Sequence, residues 1–269
     1  MNVLISVDME GIAGVVAEDH TTSTHKEYDR FRRLMTAEAN AAIEGALAGG
    51  ATEILVNDSH GGMANILIED LNPAAELISG RPKPFGMMQG ISEDTDVVFF
   101  LGYHAAAGTG GATLEHTFTY RVGEIRFNGQ ALGETGLNAA LAGAYGVPVA
   151  LVTGDKAATE EARTLLGEVE TVTVKGGVTR TAARCLHPEV VRQRIREAAE
   201  RALKRRVSPF IISAPITVRI VFQRTQHADM AELVPGSVRL DGRTLEWTGD
   251  DMPTVYRALR AMVALSYGG

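Results

Sequence analysis

The chain lacks most of what would mark it as secreted, membrane-bound or nucleic-acid-binding. It has a single cysteine, Cys185, in 269 residues, which excludes an intramolecular disulfide and fits a reducing compartment; its expected role is small core filler. No apolar run approaches the ~20 residues of a membrane helix, and the opening MNVLISVDME has no basic segment leading into a long apolar stretch and a small-residue cleavage site. A cytoplasmic location with no membrane partner is the expectation. Positive charge is scarce as well, with a net charge of −7 and a pI of about 5.5. Lysine and arginine gather only between Arg192 and Arg206, interleaved at helical spacing with Ile195, Ala198, Ala199, Ala202 and Leu203. That is the pattern of a solvated helix face, not of a phosphate-tracking stripe, so no nucleic-acid partner is expected. Ser59 lacks the Gly-x-Ser-x-Gly setting of a hydrolase nucleophile, and the stretch from Gly108 to Gly111 matches neither a P-loop nor a dinucleotide fingerprint. His20, His25, His187 and His227 stand in exposed loops or at helix ends without supporting context.

What is present points to a folded enzyme. With 45% hydrophobic and 22% charged residues the chain can bury a full core. A strand–helix rhythm runs through the first two thirds: strands at 2–7, 53–56, 75–78, 97–101 and 149–152, helices at 28–48, 63–70, 134–145 and 157–166. Thr117 to Leu132 alternates in the antiparallel manner, with Asn128-Gly129 as its turn. After residue 170 the rhythm changes to a long helix (188–207), a strand (216–222), a short helix near 226–233, a hairpin through Asp241-Gly242 and an amphipathic closing helix (252–264). The expectation is an α/β fold, a largely parallel sheet flanked by helices over residues 1–170, interrupted by the 117–132 hairpin. A second, smaller α+β domain then covers 171–269.

Three of the apolar strand-like runs end in a metal-ligand side chain. LISVDME stops at Asp8 and Glu10, ILVNDSH at His60 and VVFFLGYH at His104. In an open α/β sheet the carboxyl ends of parallel strands converge on one crevice, so these four residues can meet although they are far apart in sequence. Each alone has an ordinary reading as loop former or core histidine, but three coincident strand ends make a shared site the better one. Mixed imidazole and carboxylate ligation suits Zn²⁺, with Mn²⁺, Co²⁺ or Fe²⁺ as competitors, and leaves room for two ions if one carboxylate bridges. His116 follows the Gly-rich loop and is placed near substrate, where an imidazole can move a proton at neutral pH. Glu134, with Asn138 one turn later, sits at a helix start, where the helix dipole stabilises a carboxylate even without a function. Asp155 reads as a helix N-cap.

The segments SVDMEGI, VNDSHGGM, FLGYHA, EHTF and LGETGLNA, in this order and spacing, resemble the zinc-dependent D-aminopeptidases of the DppA type, peptidase family M55. The similarity extends over nearly the whole chain, including ISGRPKPF and AELVPG. The Gly/Ala-rich segment between His104 and His116 is one residue longer than the family pattern. The resemblance implies that Asp8, Glu10, His60, His104 and Glu134 bind a dinuclear zinc centre bridged by Asp8, and that His116 is the catalytic histidine. It implies hydrolysis of short peptides with an N-terminal D-amino acid, D-alanine in type, by a zinc-activated water, with His116 as acid/base or as nucleophile. It further implies a homo-oligomer, a ring-shaped decamer with sites facing an internal channel. Two other classes fit the same donor residues: another dinuclear metallohydrolase, either amidase or phosphoesterase, and a non-catalytic protein that captures peptide amino termini with metal.

Overall fold

The computed structural model describes residues 1–268. In chain order its elements are β1 (Asn2–Val7), α1 (Glu18–Thr21), α2 (Tyr28–Ala48), β2 (Glu53–Asp58), β3 (Glu76–Ile78), β4 (Val97–Tyr103), β5 (Val122–Phe127), β6 (Gln130–Ala131), α3 (Glu134–Ala144), β7 (Val149–Asp155) and α4 (Lys156–Leu166). They continue with β8 (Glu170–Thr179), β9 (Ala182–Cys185), α5 (Pro188–Ala202), β10 (Ile216–Phe222), α6 (Thr225–Ala231), β11 (Val238–Arg239), β12 (Thr244–Gly249) and α7 (Met252–Leu265).

Two sheets organise these elements. The first has seven strands in the order β3-β2-β1-β4-β7-β8-β9, parallel except for the edge strand β9. Its central strands β1, β4 and β7 are buried on both faces because both are covered, as a parallel sheet requires. Val3, Ile5, Val7, Phe99 and Leu101 face a core shared with α2 and α5. Leu4, Val98, Phe100 and Val152 face a second core shared with α3, α7 and the other sheet. That other sheet is antiparallel, in the order β11-β12-β10-β5-β6. Its β5–β6 turn is the one expected at Asn128-Gly129, with φ 47° and 84°, values a two-residue hairpin needs to match the strand twist.

A chain of buried hydrogen bonds joins the two halves. Ser6 Oγ lies 2.8 Å from Tyr103 Oη, Asn138 Nδ2 donates to that hydroxyl at 2.9 Å, and Tyr256 Oη donates to Asn138 Oδ1 at 2.6 Å. It runs from β1 through β4 and α3 to α7.

Three expectations are corrected. The boundary expected at residue 170 falls inside the first sheet: β8 begins at Glu170, pairs with β7, and is followed by α5, which packs on α2. The second sheet draws β5 and β6 from well before that point. Met63 to Asp70 is helical only in a single 3₁₀ turn, Ile68–Asp70, because the Asp58 carboxylate accepts the amide protons of Asn65 and Ile66, at 2.5 and 2.7 Å, and these bonds fold the preceding residues into a loop. Cys185 is exposed at the end of β9 and fills no core. Among the described residues no helix is long and apolar enough to cross a membrane.

Candidate metal centre

The strand order places the site. β1 has β2 on one side and β4 on the other, so the loops leaving β1 and β4 diverge and open a crevice at their carboxyl ends, the place where open α/β sheets bind ligands. Asp8 follows β1, His104 follows β4, and His60 lies two residues beyond β2. Backbone bonds hold these ends level: Asp8 N–H donates to Leu101 O and Ser59 N–H to Val7 O, both at 2.8 Å, and Gly11 N–H to Gly102 O at 2.7 Å.

All of the expected donors meet there. Asp8, Glu10, His104 and Glu134 are almost fully buried, and His60 is nearly so. Asp8 faces a different histidine with each oxygen: Oδ1 is 3.3 Å from His60 Nδ1 and Oδ2 is 3.4 Å from His104 Nε2. His60 Nδ1 is also 2.9 Å from Glu10 Oε2. Its other ring nitrogen, Nε2, donates to the carbonyl of Thr21 at 2.9 Å, so Nδ1 is the atom turned to the carboxylates, where a proton or a divalent cation satisfies it. Burial works against charge on His60, but Glu10 and Asp8 outweigh it and hold this imidazole well above its usual range. Burial likewise opposes ionisation of Glu10, yet the His60 charge holds that carboxyl low. Burial and then the Glu10 charge push Asp8 up.

His104 tests whether a metal fits. Its Nδ1 lies 3.1 Å from the Ala105 carbonyl, which can only accept, so the proton is on Nδ1 and the lone pair on Nε2. That Nε2 is buried without a hydrogen-bond partner, 3.4 Å from Asp8 Oδ2 and 3.5 Å from Glu134 Oε1. A lone pair aimed at two carboxylates is unfavourable unless a cation lies among them. Among the described residues no lysine or arginine pairs with Asp8, Glu10 or Glu134; all their ion-pair partners are histidines. The donor atoms form two overlapping sets, Asp8–Glu10–His104 and His104–His116–Glu134, each within 4.8 Å. The donor set fits a cation.

His116 stacks on His104 with ring centroids 4.1 Å apart and is covered on its outer side by Tyr120 at 4.7 Å. Its Nδ1 lies 2.8 Å from the Leu114 carbonyl, which fixes the proton there and leaves Nε2 as an acceptor 3.9 Å from Glu134 Oε1. Burial, and then the neighbouring His104, hold His116 below the usual imidazole range. Glu134 opens α3, and its Oε1 accepts the Phe118 amide proton at 2.6 Å, so one carboxylate faces the site and also fixes the turn after His116. Burial raises its pKa.

Several supporting residues carried no recognisable signal in the sequence. Lys175 on β8 is buried and donates to the carbonyls of Glu10, Ile12 and Val15. Glu38 on α2 accepts the Ala13 amide proton at 2.9 Å. A lysine in a valine-rich strand and a glutamate in an amphipathic helix both look solvated without the tertiary fold. Asp155 is the N-cap it was expected to be, accepting from Ala158 N–H, and it also accepts from Thr113 N–H at 2.7 Å, tethering the loop before His116. His227 is buried instead of exposed and belongs to neither donor group.

Similarity to known proteins agrees with this geometry. A profile of peptidase family M55, described as D-aminopeptidase, matches residues 1–261. The chain is 39% identical over 269 residues to a D-aminopeptidase of Bacillus subtilis (strain 168), covering 99% of this chain and 98% of the relative. It superposes with a TM-score of 0.97 on the solved structure of the Zn-dependent D-aminopeptidase DppA from Bacillus subtilis, a self-compartmentalizing protease. That match has 38% identity and covers 100% of this chain and 99% of the other.

Proposed function

The chain belongs to the M55 family of D-aminopeptidases, and from that premise we propose that it is a zinc-dependent aminopeptidase releasing a D-amino acid, D-alanine in type, from the free amino end of short peptides. The observation that carries this reading is the buried His104 Nε2, without a hydrogen-bond partner and directed at the Asp8 and Glu134 carboxylates. Asp8, Glu10, His60, His104 and Glu134 would hold the metal. Room for two ions per chain is supported by the five donors themselves and by the way the two Asp8 oxygens address different histidines, Oδ1 facing His60 and Oδ2 facing His104. When bound, zinc supplies Lewis acidity, polarising a carbonyl and lowering the pKa of water to roughly 7.

The chain's own residues do the rest. His116, neutral and with its lone pair on Nε2, is placed to take a proton at that atom and return it to the departing amine. The Leu114 carbonyl keeps it in the required tautomer, and the stacked ring of His104 on one side with the tilted ring of Tyr120 on the other keeps its ring from turning. A cleft of about 380 Å³ lies beside the site, and three of its lining residues, Ala106, Thr117 and Gly133, stand within two positions of His104, His116 and Glu134 in the chain. The want of lysine and arginine around the carboxylates disfavours a phosphoesterase, whose substrate charge would need them.

The test is hydrolysis of matched D-Ala and L-Ala peptides by the zinc-loaded protein, with a chelator control. Chelator-sensitive release of D-alanine alone is expected. Cleavage of the L-series would move the assignment to a broader metallohydrolase, and cleavage of neither to metal-assisted peptide binding. Assembly into a ring-shaped decamer in the cytoplasm completes the proposal, supported by the self-compartmentalizing relative and by the single cysteine. Light scattering should give a mass many times 28.7 kDa; a clean monomer would overturn it.

A further inference from the structure

We propose that Lys175 is a positioning residue for the metal centre: its ammonium acts as a fixed internal cation that holds the Glu10 loop in its binding shape before any metal arrives. The proposal rests on the metal-centre reading above.

The loop leaves β1 at Asp8 and crosses the end of β4, where Gly11 N–H meets Gly102 O at 2.7 Å. It then turns back through Ile12 and Val15, with every residue from Asp8 to Ala13 buried. Along it the carbonyls of Glu10, Ile12 and Val15 converge on one point, where like-directed dipoles repel unless a positive charge sits among them. Lys175, 1% exposed, supplies that charge. Its three ammonium protons match three carbonyl acceptors, the one to Ile12 O at 3.1 Å and shorter ones to Glu10 O and Val15 O. Among the described residues no carboxylate pairs with it, so its partners are the loop's main chain alone.

The position of Lys175 follows from the sheet. It lies in register with Asp155, at the carboxyl edge of the strands that deliver Asp8 and His104, so a four-carbon stem reaches the loop from the far side of the crevice. Glu38 fixes the same loop from α2 through Ala13 N–H at 2.9 Å. One of the Lys175 bonds is to the carbonyl of Glu10 itself, so the lysine sets the main chain from which that carboxylate projects. A methionine would fill the same volume but leave the buried Glu10 and Val15 carbonyls unsatisfied, Ile12 O keeping only the Val15 N–H at 3.2 Å.

The test is hydrogen exchange, read by mass spectrometry over residues 8–16, on wild-type protein with zinc removed and with zinc restored, together with zinc affinity of Lys175→Met and Lys175→Gln by chelator competition. Wild-type protein should protect the loop about equally in both states. Lys175→Met should lose that protection and weaken zinc binding on the order of 10- to 100-fold, and Lys175→Gln, which keeps donors without charge, should fall between. Loss of protection in wild-type protein on chelation would show that metal, not Lys175, shapes the loop, and overturns the proposal without needing a variant. Wild-type zinc affinity in a folded Lys175→Met protein also overturns it. A lowered melting temperature is what a merely structural lysine would give; the zinc affinity separates the two roles. Were zinc bound but D-peptides left intact, the assigned activity would fall while the exchange and affinity results still decided Lys175.

Discussion

Gly11 and Gly102 meet backbone to backbone beside the proposed donors: a Cβ on Gly11 would lie 2.0 Å from the Tyr103 carbonyl oxygen, and one on Gly102 would lie 2.3 Å from that of Asp8. Gly102 also has φ +66°, which disfavours any side chain. This contact sets how closely the Asp8 loop approaches the strand that ends in His104. The atoms in the way are main chain and cannot rotate aside. Gly11→Ala should therefore destabilise by about 3 kcal/mol or more, at the upper end of overpacking effects, and lose bound zinc. Denaturant unfolding and elemental analysis check it, and a variant with full zinc and unchanged midpoint would refute the role given to the contact.

Removal of the His116 ring should separate chemistry from metal binding. His116→Ala is expected to keep its zinc and lower kcat by on the order of 10² to 10⁴. Unchanged turnover in a metal-replete variant would remove His116 from the mechanism.

Glu134 faces both the donor set and the Phe118 amide. Glu134→Gln retains an oxygen for that amide while removing the charge, so it should lower zinc per chain with little loss of fold. Full stoichiometry by elemental analysis would count against ligation.

Glu38, which holds the far end of the Asp8–Ala13 loop, gives a pH-dependent stability effect. Burial raises its pKa from 4.5 to about 7, and its Oε2 has no partner. A carboxyl with a raised folded pKa contributes fully below the unfolded value, and that contribution is lost as pH climbs from 4.5 through about 7. Glu38→Gln, which can still accept from Ala13, should be nearly neutral near pH 4.5 and more stable than wild type at pH 8, by on the order of 3 kcal/mol. Urea unfolding at the two pH values measures the difference; equal effects at both would show that Glu38 is not ionised at the higher one.

The residues proposed as metal donors stood out because of where they lie in the sequence. Buried parallel strands are apolar runs, so a charged or imidazole side chain at their carboxyl ends, as at Asp8 and His104, has few structural reasons to be there. The turn at Asn128-Gly129 was legible because its chemistry is local. The make-up of the second sheet was not: β5 pairs with a strand ninety or so positions later, and nothing within that segment encodes the partner. Met63 to Asp70 misled for a related reason, since the Asp58 side chain that turns this stretch into a loop lies outside it. Lys175 was illegible in the same way. Its partners are carbonyls of a loop 160 or more residues away, and main-chain acceptors leave no trace in a sequence.

The hydrogen-bond chain from Ser6 through Tyr103 and Asn138 to Tyr256 has a thermodynamic consequence. It runs through the second core from β1 and β4 to α3 and α7, and its links, once buried, cannot be exchanged for water one at a time without leaving a stranded donor or acceptor. The two sheets thus lack a low-energy route to separate melting, and the α7 end of the chain, remote in sequence from every proposed donor, shares one unfolding transition with the strands that carry them.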